Sequence, residues 1–222
     1  MNTNNKIIAF FKKYSHAWVF LYAFIYMPWF QYLEKHIQHN YYVIHSPLDD
    51  FIPFVEYFII PYYMWFAFIA VAVFYFFFTD KAGFYRVASF LIIGMTAFLL
   101  ICTFFPNGLN LRPAVFARDN FCVDLVRFLY KADTPTNVLP SIHVFNTLGV
   151  LIAISHSDRI RNHRFVLAFS YMLGILIILS TVFLKQHSVT DVIAALALAG
   201  IAYPFVYVSQ ARKATKFSHQ PI

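Results

Sequence analysis

The sequence predicts an all-α membrane protein: a six-transmembrane-helix bundle with an interfacial helix in the connection between the third and fourth spans. Three observations lead there. Hydrophobic residues make up 60% of the 222-residue chain and charged residues only 12%, against about 25% charged in soluble domains. Aromatics reach 21%, with 28 phenylalanines, more apolar surface than a water-soluble chain of this length can hide, so part of the solvent must be lipid. Six apolar segments each approach the roughly 20 residues that a helix needs to cross a hydrocarbon core of about 30 Å.

The segments fall at 17–33, 54–78, 86–105, 140–156, 164–184 and 189–209. The first follows the polar lead-in MNTNNKIIAFFKKYSHAW, which lacks a small-residue cleavage pattern and reads as a retained cytosolic entry. The second is entered through IHSPLDDFIPFVEYFIIPYYMWF, where Asp50 and Glu56 fit a structural role better than a head-group contact. The third ends in FFPNGLNLRP. The longest connection, 106–139, carries AVFARDNFCVDLVRFLYKAD, whose Val115, Phe116, Cys122, Leu125, Val126 and Leu129 recur near the helical period. That pattern predicts an amphipathic helix lying at the membrane surface. The fourth segment opens with NVLPSIHVFNTLG, and STVFLKQHSVTDVIAALALAG joins the fifth to the sixth. No internal repeat or low-complexity linker divides the chain, so 1–222 is expected to form one membrane domain.

The net charge of +7 is spread over short loops, which does not point to nucleic acid. Cys102 and Cys122 supply no disulfide framework. Basic residues do set an expected sidedness. Of the 17 Lys and Arg, six (Lys35, Arg112, Arg118, Arg127, Lys131 and Lys185) fall on one side, and the remainder share the other side with both termini. The termini are therefore expected in the cytoplasm of a bacterial cell, with the 1–2, 3–4 and 5–6 connections facing outward from the plasma membrane.

With that topology, three sequence-distant polar clusters meet at one membrane depth, where ionisable residues are costly unless used. His187 and Asp191 stand four apart, on one face of a helical turn. A carboxylate so placed accepts the imidazole Nδ1–H, fixes the tautomer and leaves Nε2 as nucleophile or base. His143, from another segment, suits a general acid. Arg112 offers a planar fork for phosphate oxygens, and Ser141 with the N–H groups behind it offers anion donors at a helix start. Lys185 lies two residues before His187. Singly, His143 reads as a helix–helix hydrogen bond, Ser141 as an N-cap and Lys185 as a snorkelling interfacial lysine. Together they form a phosphoryl-transfer site working through a phosphohistidine. No H-x-x-E-H or cysteine pair is present, so neither metal nor cofactor is expected.

Arg112-Pro113, then Pro140-Ser141-Ile142-His143, then Ser180 through His187-x-x-x-Asp191 resemble the motifs of the phosphatidic acid phosphatase type 2 superfamily. That family includes membrane lipid phosphatases, lipid phosphotransferases and soluble vanadium haloperoxidases. Its pattern runs K-x6-R-P, P-S-x-H, S-R-x5-H-x3-D on a six-helix core. The resemblance covers about 106–191 by motif and 54–209 by topology. It implies His187 as nucleophile, Asp191 as its partner, His143 as acid, and Arg112 and Ser141 as phosphate ligands. Two family cations are replaced, by Phe105 and Thr181, and Lys185 is the substitute by position.

The expected function is metal-independent hydrolysis of a lipid phosphomonoester or polyprenyl diphosphate, with a membrane lipid as partner. A lipid phosphotransferase of the inositol-phosphorylceramide-synthase type is the alternative. A carrier using the same residues as a proton and anion relay, or an inactive lipid-binding protein, stands behind both.

Overall fold

The computed structural model describes residues 9–37 and 39–208. Lys6, Arg212, Lys213 and Lys216, which contribute to the expected sidedness, and the last residue of the sixth segment lie outside the described residues. A 3-10 stretch, Ser15–Tyr22, leads into α1 (Ala23–His36). There follow α2 (Ile59–Thr79), α3 (Lys81–Phe104), α4 (Phe121–Ala132), α5 (Ile142–Ser155), α6 (Arg164–Phe183) and α7 (Val189–Tyr203), which ends in a π-turn, Pro204–Val208. A parallel pair of two-residue strands, β1 (Tyr42–Val43) and β2 (Asn107–Gly108), clips two connections together.

The helix starts follow from side-chain caps, which satisfy N–H groups that have no intrahelical partner. Asp80, the lone residue between α2 and α3, accepts from Gly83 N–H. Asn120 caps α4 through Val123 N–H, and Ser141 caps α5 through Val144 N–H. Ser188 and Asp191 form a capping box at the head of α7.

The fold is all-α, as expected, but the six segments are not equivalent. Four stretches, Glu56–Thr79, Lys81–Phe104, Arg164–Phe183 and Val189–Val208, are long and apolar enough to cross a membrane. The first segment is part 3-10 and part α, and is not among those four. The fourth, α5, has only 14 residues, about 21 Å at 1.5 Å per residue. Its surroundings explain its length. Most of its residues are buried, from His143 and Val144 at one end to Ala153 and Ile154 at the other, and it packs on α2, α3, α6 and α7. Protein rather than lipid surrounds it, so its non-helical approach can lie at membrane depth without exposing backbone to hydrocarbon. Against α3, Phe90 and Phe145 stack at 4.7 Å. Each ring lies over a glycine of the other helix, Phe145 over Gly94 and Phe90 over Gly149.

The amphipathic helix of the long connection forms as α4, beginning at Phe121 rather than near Val115. The Asn120 cap sets the start, and Val115 is left 83% exposed. Val123, Val126 and Leu129 are buried along one face, and Val126 and Leu129 pack with Ile59, Tyr62 and Leu184. Phe121 and Phe128 point outward.

Candidate active site

At one end of the bundle, the end of α3, the start of α5 and the α6–α7 bend come together, and a buried asparagine shapes their junction. Asn107 Oδ1 accepts the N–H groups of Val138 and Leu139, and its Nδ2 donates to the Phe105 carbonyl. The Asn107 carbonyl accepts from Asn137 N–H. Glu34 of α1 accepts from the Thr134 hydroxyl at 2.6 Å and from Asn137 Nδ2 at 2.7 Å. The chain before Ser141 is thus held from two sides, which fixes where α5 begins.

Ser141, fully buried, donates its backbone N–H to the Asp191 carbonyl at 3.2 Å. Its hydroxyl accepts from Val144 N–H at 3.4 Å. The N–H groups of Ile142 and His143 make no hydrogen bond among the described residues, so two donors of the first turn remain for an anion. His143 is sandwiched between Tyr62 and Trp65, with ring centroids at 4.7 Å and 4.3 Å. The His143 and His187 rings stand 5.6 Å apart. His187 Nδ1 donates to Asp191 Oδ2 at 3.3 Å, and Ser188 N–H donates to the same oxygen at 2.8 Å. Asp191 is fully buried. Asp191 Oδ1 and His143 Nδ1 are buried without a partner among the described residues.

Arg112 is brought to the same place from the 105–120 connection. One guanidinium nitrogen donates to Gln186 Oε1 at 2.6 Å, another to the Tyr130 carbonyl at 3.2 Å, and the group lies over the Tyr130 ring at 4.4 Å. Burial pulls its pKa down, opposed by the charge of Asp133. Gln186 Nε2 donates onward to Asp133 Oδ2 at 3.4 Å. Burial, and then the nearby charge of Glu34, push the Asp133 carboxyl up to about 6, while Arg112 and His187 act in the opposite direction.

Lys185 departs from expectation. The bend does break helical geometry there, with a left-handed φ of 54°. The ammonium, however, donates to the carbonyls of Asp49 at 2.7 Å and Ile52. It satisfies backbone groups of the turn that precedes α2, a structural contact the sequence did not indicate. The two positions without family cations are filled in other ways. Phe105 stacks on Tyr42 at 4.7 Å, and the Thr181 hydroxyl donates to the Ile178 carbonyl. Glu56 is buried and accepts from Arg118 and Asn120, whereas Asp50 pairs with His45 at the surface. Both fit the structural reading.

Sequence reasoning missed four groups at the site. Asp49 Oδ2 accepts the Ser188 hydroxyl at 2.6 Å, and Asp49 Oδ1 accepts Val189 N–H at 2.8 Å, so it caps α7 from a distant turn. Gln186 relays Arg112 to Asp133. Tyr62 and Trp65 wall His143. Pro47 and the Ser46–Asp49 capping box were a local signal for the Asp49 turn, but its contact with α7 spans 140 positions and has no local signature. Trp65 and Tyr62 look like any other aromatics of an apolar span.

A model of the PAP2 superfamily matches residues 88–215. No curated protein and no solved structure matches the chain.

Proposed function

The chain belongs to the PAP2 superfamily, and from that premise and the site geometry we propose that it is a membrane lipid phosphatase whose nucleophile is His187. One observation carries the reading: an Asp191-bonded His187 faces a second histidine, His143, 5.6 Å away, beside the guanidinium of Arg112 and the free N–H groups that open α5. Asp191 holds Nδ1–H, which leaves the lone pair of Nε2 for attack.

The residues divide the reaction between them. Arg112, the Ser141 hydroxyl and the N–H groups of Ile142 and His143 receive the phosphate oxygens, where charge concentrates during transfer. Nε2 of His187 forms a bond to phosphorus as the ester P–O bond breaks. The leaving oxygen takes a proton from His143, whose ring is held in place by Tyr62 and Trp65. Water then attacks the phosphohistidine, His143 recovers a proton from it, and inorganic phosphate departs with His187 restored. The substrate is a phosphorylated lipid, a phosphomonoester or a polyprenyl diphosphate, reached laterally through the phenylalanine-rich surface. The site faces outward and both termini are cytoplasmic, in line with the distribution of basic residues.

Purified protein in detergent, given a panel of phosphorylated lipids, is expected to release inorganic phosphate. His187→Ala is expected to lower that rate by at least roughly 10³-fold, the scale of losing an essential nucleophile. Vanadate, which mimics the trigonal-bipyramidal transition state, should inhibit. A new phospholipid formed without free phosphate would mark a phosphotransferase instead. Near-normal hydrolysis by His187→Ala would overturn the mechanism.

A further inference from the structure

At the end of the bundle opposite His187, an apolar crevice and a polar pocket open side by side. The chain direction sets the ends: α2 leaves the site end at Ile59 and finishes at Thr79, while α5 leaves at Ile142 and finishes at Ser155. The crevice, about 890 Å³, runs between α2 and α6 and is closed by the 158–163 loop. On α2 its wall extends from Met64 to Phe76, about 18 Å of helix at 1.5 Å per residue. One leaflet's tails fill about 15 Å, half of the hydrocarbon core. The polar pocket, about 210 Å³, is lined by Asp80, Arg86, His156 and Ser157, and it shares Asp158 and Arg159 with the crevice. An apolar slot of lipid-tail length therefore opens beside a polar, arginine-bearing chamber.

Charge selects the head group. Asp80 is occupied by the Gly83 N–H and by Arg86 at 3.9 Å, and Asp158 pairs with Arg161 at 3.0 Å. Arg159, exposed at the junction of the two cavities, makes no hydrogen bond or ion pair among the described residues, and Arg164 stands exposed at the head of α6. The acidic groups are already answered, and positive charge is left over. A zwitterionic lipid offers Arg159 the same phosphodiester oxygens but brings its own ammonium beside Arg159, Arg161 and Arg164, whereas a net-negative head group brings no such cation.

We propose that this end of the protein holds a bilayer phospholipid with an anionic head group, its phosphate at Arg159 and one acyl chain in the crevice between α2 and α6. The lipid sits in the leaflet away from His187 and is not the substrate. Bound there, it fills the gap between α2 and α6, two helices that carry groups of the site end: α2 supplies Tyr62 and Trp65, and α6 leads into the bend before His187.

The test is native mass spectrometry of the full chain released from nanodiscs containing equal amounts of phosphatidylcholine and phosphatidylglycerol. Wild type should carry a phosphatidylglycerol adduct enriched over phosphatidylcholine by roughly tenfold, the scale expected for one or two interfacial arginines. Arg159→Gln should lower that enrichment several-fold while leaving turnover of a short-chain phosphomonoester unchanged. Ala67→Trp, which fills the crevice from an exposed position, should remove adducts of both lipids. Equal adducts of the two lipids on wild type would overturn the proposal. So would an Arg159→Gln protein with full enrichment, or an Ala67→Trp protein that keeps its adduct.

Discussion

The backbone N–H of Ser141 donates to the carbonyl of Asp191 across 3.2 Å. The helix that carries His143 is thereby tied, at its first turn, to the helix that carries Asp191. The spacing of the two histidine rings is set by main chain as well as by side-chain packing, so substitutions of the Ser141 side chain leave this tie in place and test only the hydroxyl.

Ser141→Ala and Ser141→Gly separate its two roles. As a cap alone, the hydroxyl satisfies Val144 N–H, and Ala should cost about 1 kcal/mol of stability while Gly costs only a few tenths. As a phosphate donor, both variants lose the same group and should lose turnover alike. The expected result is unequal melting temperatures with equal drops in kcat/KM. Turnover that follows melting temperature across the pair would leave Ser141 as a cap only.

Asp49 predicts a loss that no motif foretells. It accepts the Ser188 hydroxyl and Val189 N–H at the head of α7 and Ser46 N–H in its own turn. Asp49→Ala strands the buried Ser188 hydroxyl, worth roughly 1–3 kcal/mol when left unsatisfied, and two half-buried N–H groups that water can partly satisfy. The variant should melt well below wild type, and kcat should fall with it as His187 loses its frame. An Asp49→Ala protein that melts normally would remove the turn from any part in holding the site.

Lys185 is expected to behave as a structural residue. Its ammonium serves the carbonyls of Asp49 and Ile52, so Lys185→Met should lower the melting temperature while KM for phosphorylated substrate changes less than about threefold. A phosphate-binding cation would instead cost on the order of 10²-fold in turnover. The left-handed φ of 54° favours glycine. Lys185→Gly loses the same ammonium with less backbone strain and should melt above Lys185→Met. Kinetic collapse in either variant at unchanged stability would return Lys185 to the phosphate site.

Composition and segment length made the all-α membrane fold legible, and helical spacing made the His187–Asp191 pair legible, because both are local properties. The 14-residue α5 was legible as an apolar segment but not as the central helix, since centrality depends on which neighbours surround it. The direction of the Lys185 side chain escaped for a similar reason: its partners lie more than 130 positions away. Gln186 stands inside the third motif without a signal of its own, because an amide beside a histidine has no distinct chemistry until Arg112 and Asp133 bracket it.

Asp133 gives the site a dependence on pH that the Arg112–Gln186–Asp133 chain makes testable. Its carboxyl faces Glu34 from α1, Gln186 and His187 from the α6–α7 bend, and Arg112 from the 105–120 connection. Tyr26 and Tyr62 also stand near enough to feel its charge. Burial and Glu34 push it up to about 6, from about 3.9 in an unfolded chain. The sign follows from linkage. Between about pH 4 and 6 the native state holds a proton that the unfolded state has released, so this group's contribution falls as pH rises through that window and is flat above it. Asp133→Asn keeps an acceptor for Gln186 Nε2 and cannot ionise. Relative to wild type it should therefore gain stability as pH rises from 4 to 6, hold that difference constant above 6, and approach wild type near pH 4. In turnover, an ionised Asp133 competes with the substrate phosphate for Arg112, so Asp133→Asn should lower KM above pH 6 more than below it. Melting temperatures at pH 4.5 and 7 and KM at pH 5.5 and 7.5 decide the matter. A stability difference that does not change between pH 4.5 and 7 would show that Asp133 does not titrate in this window.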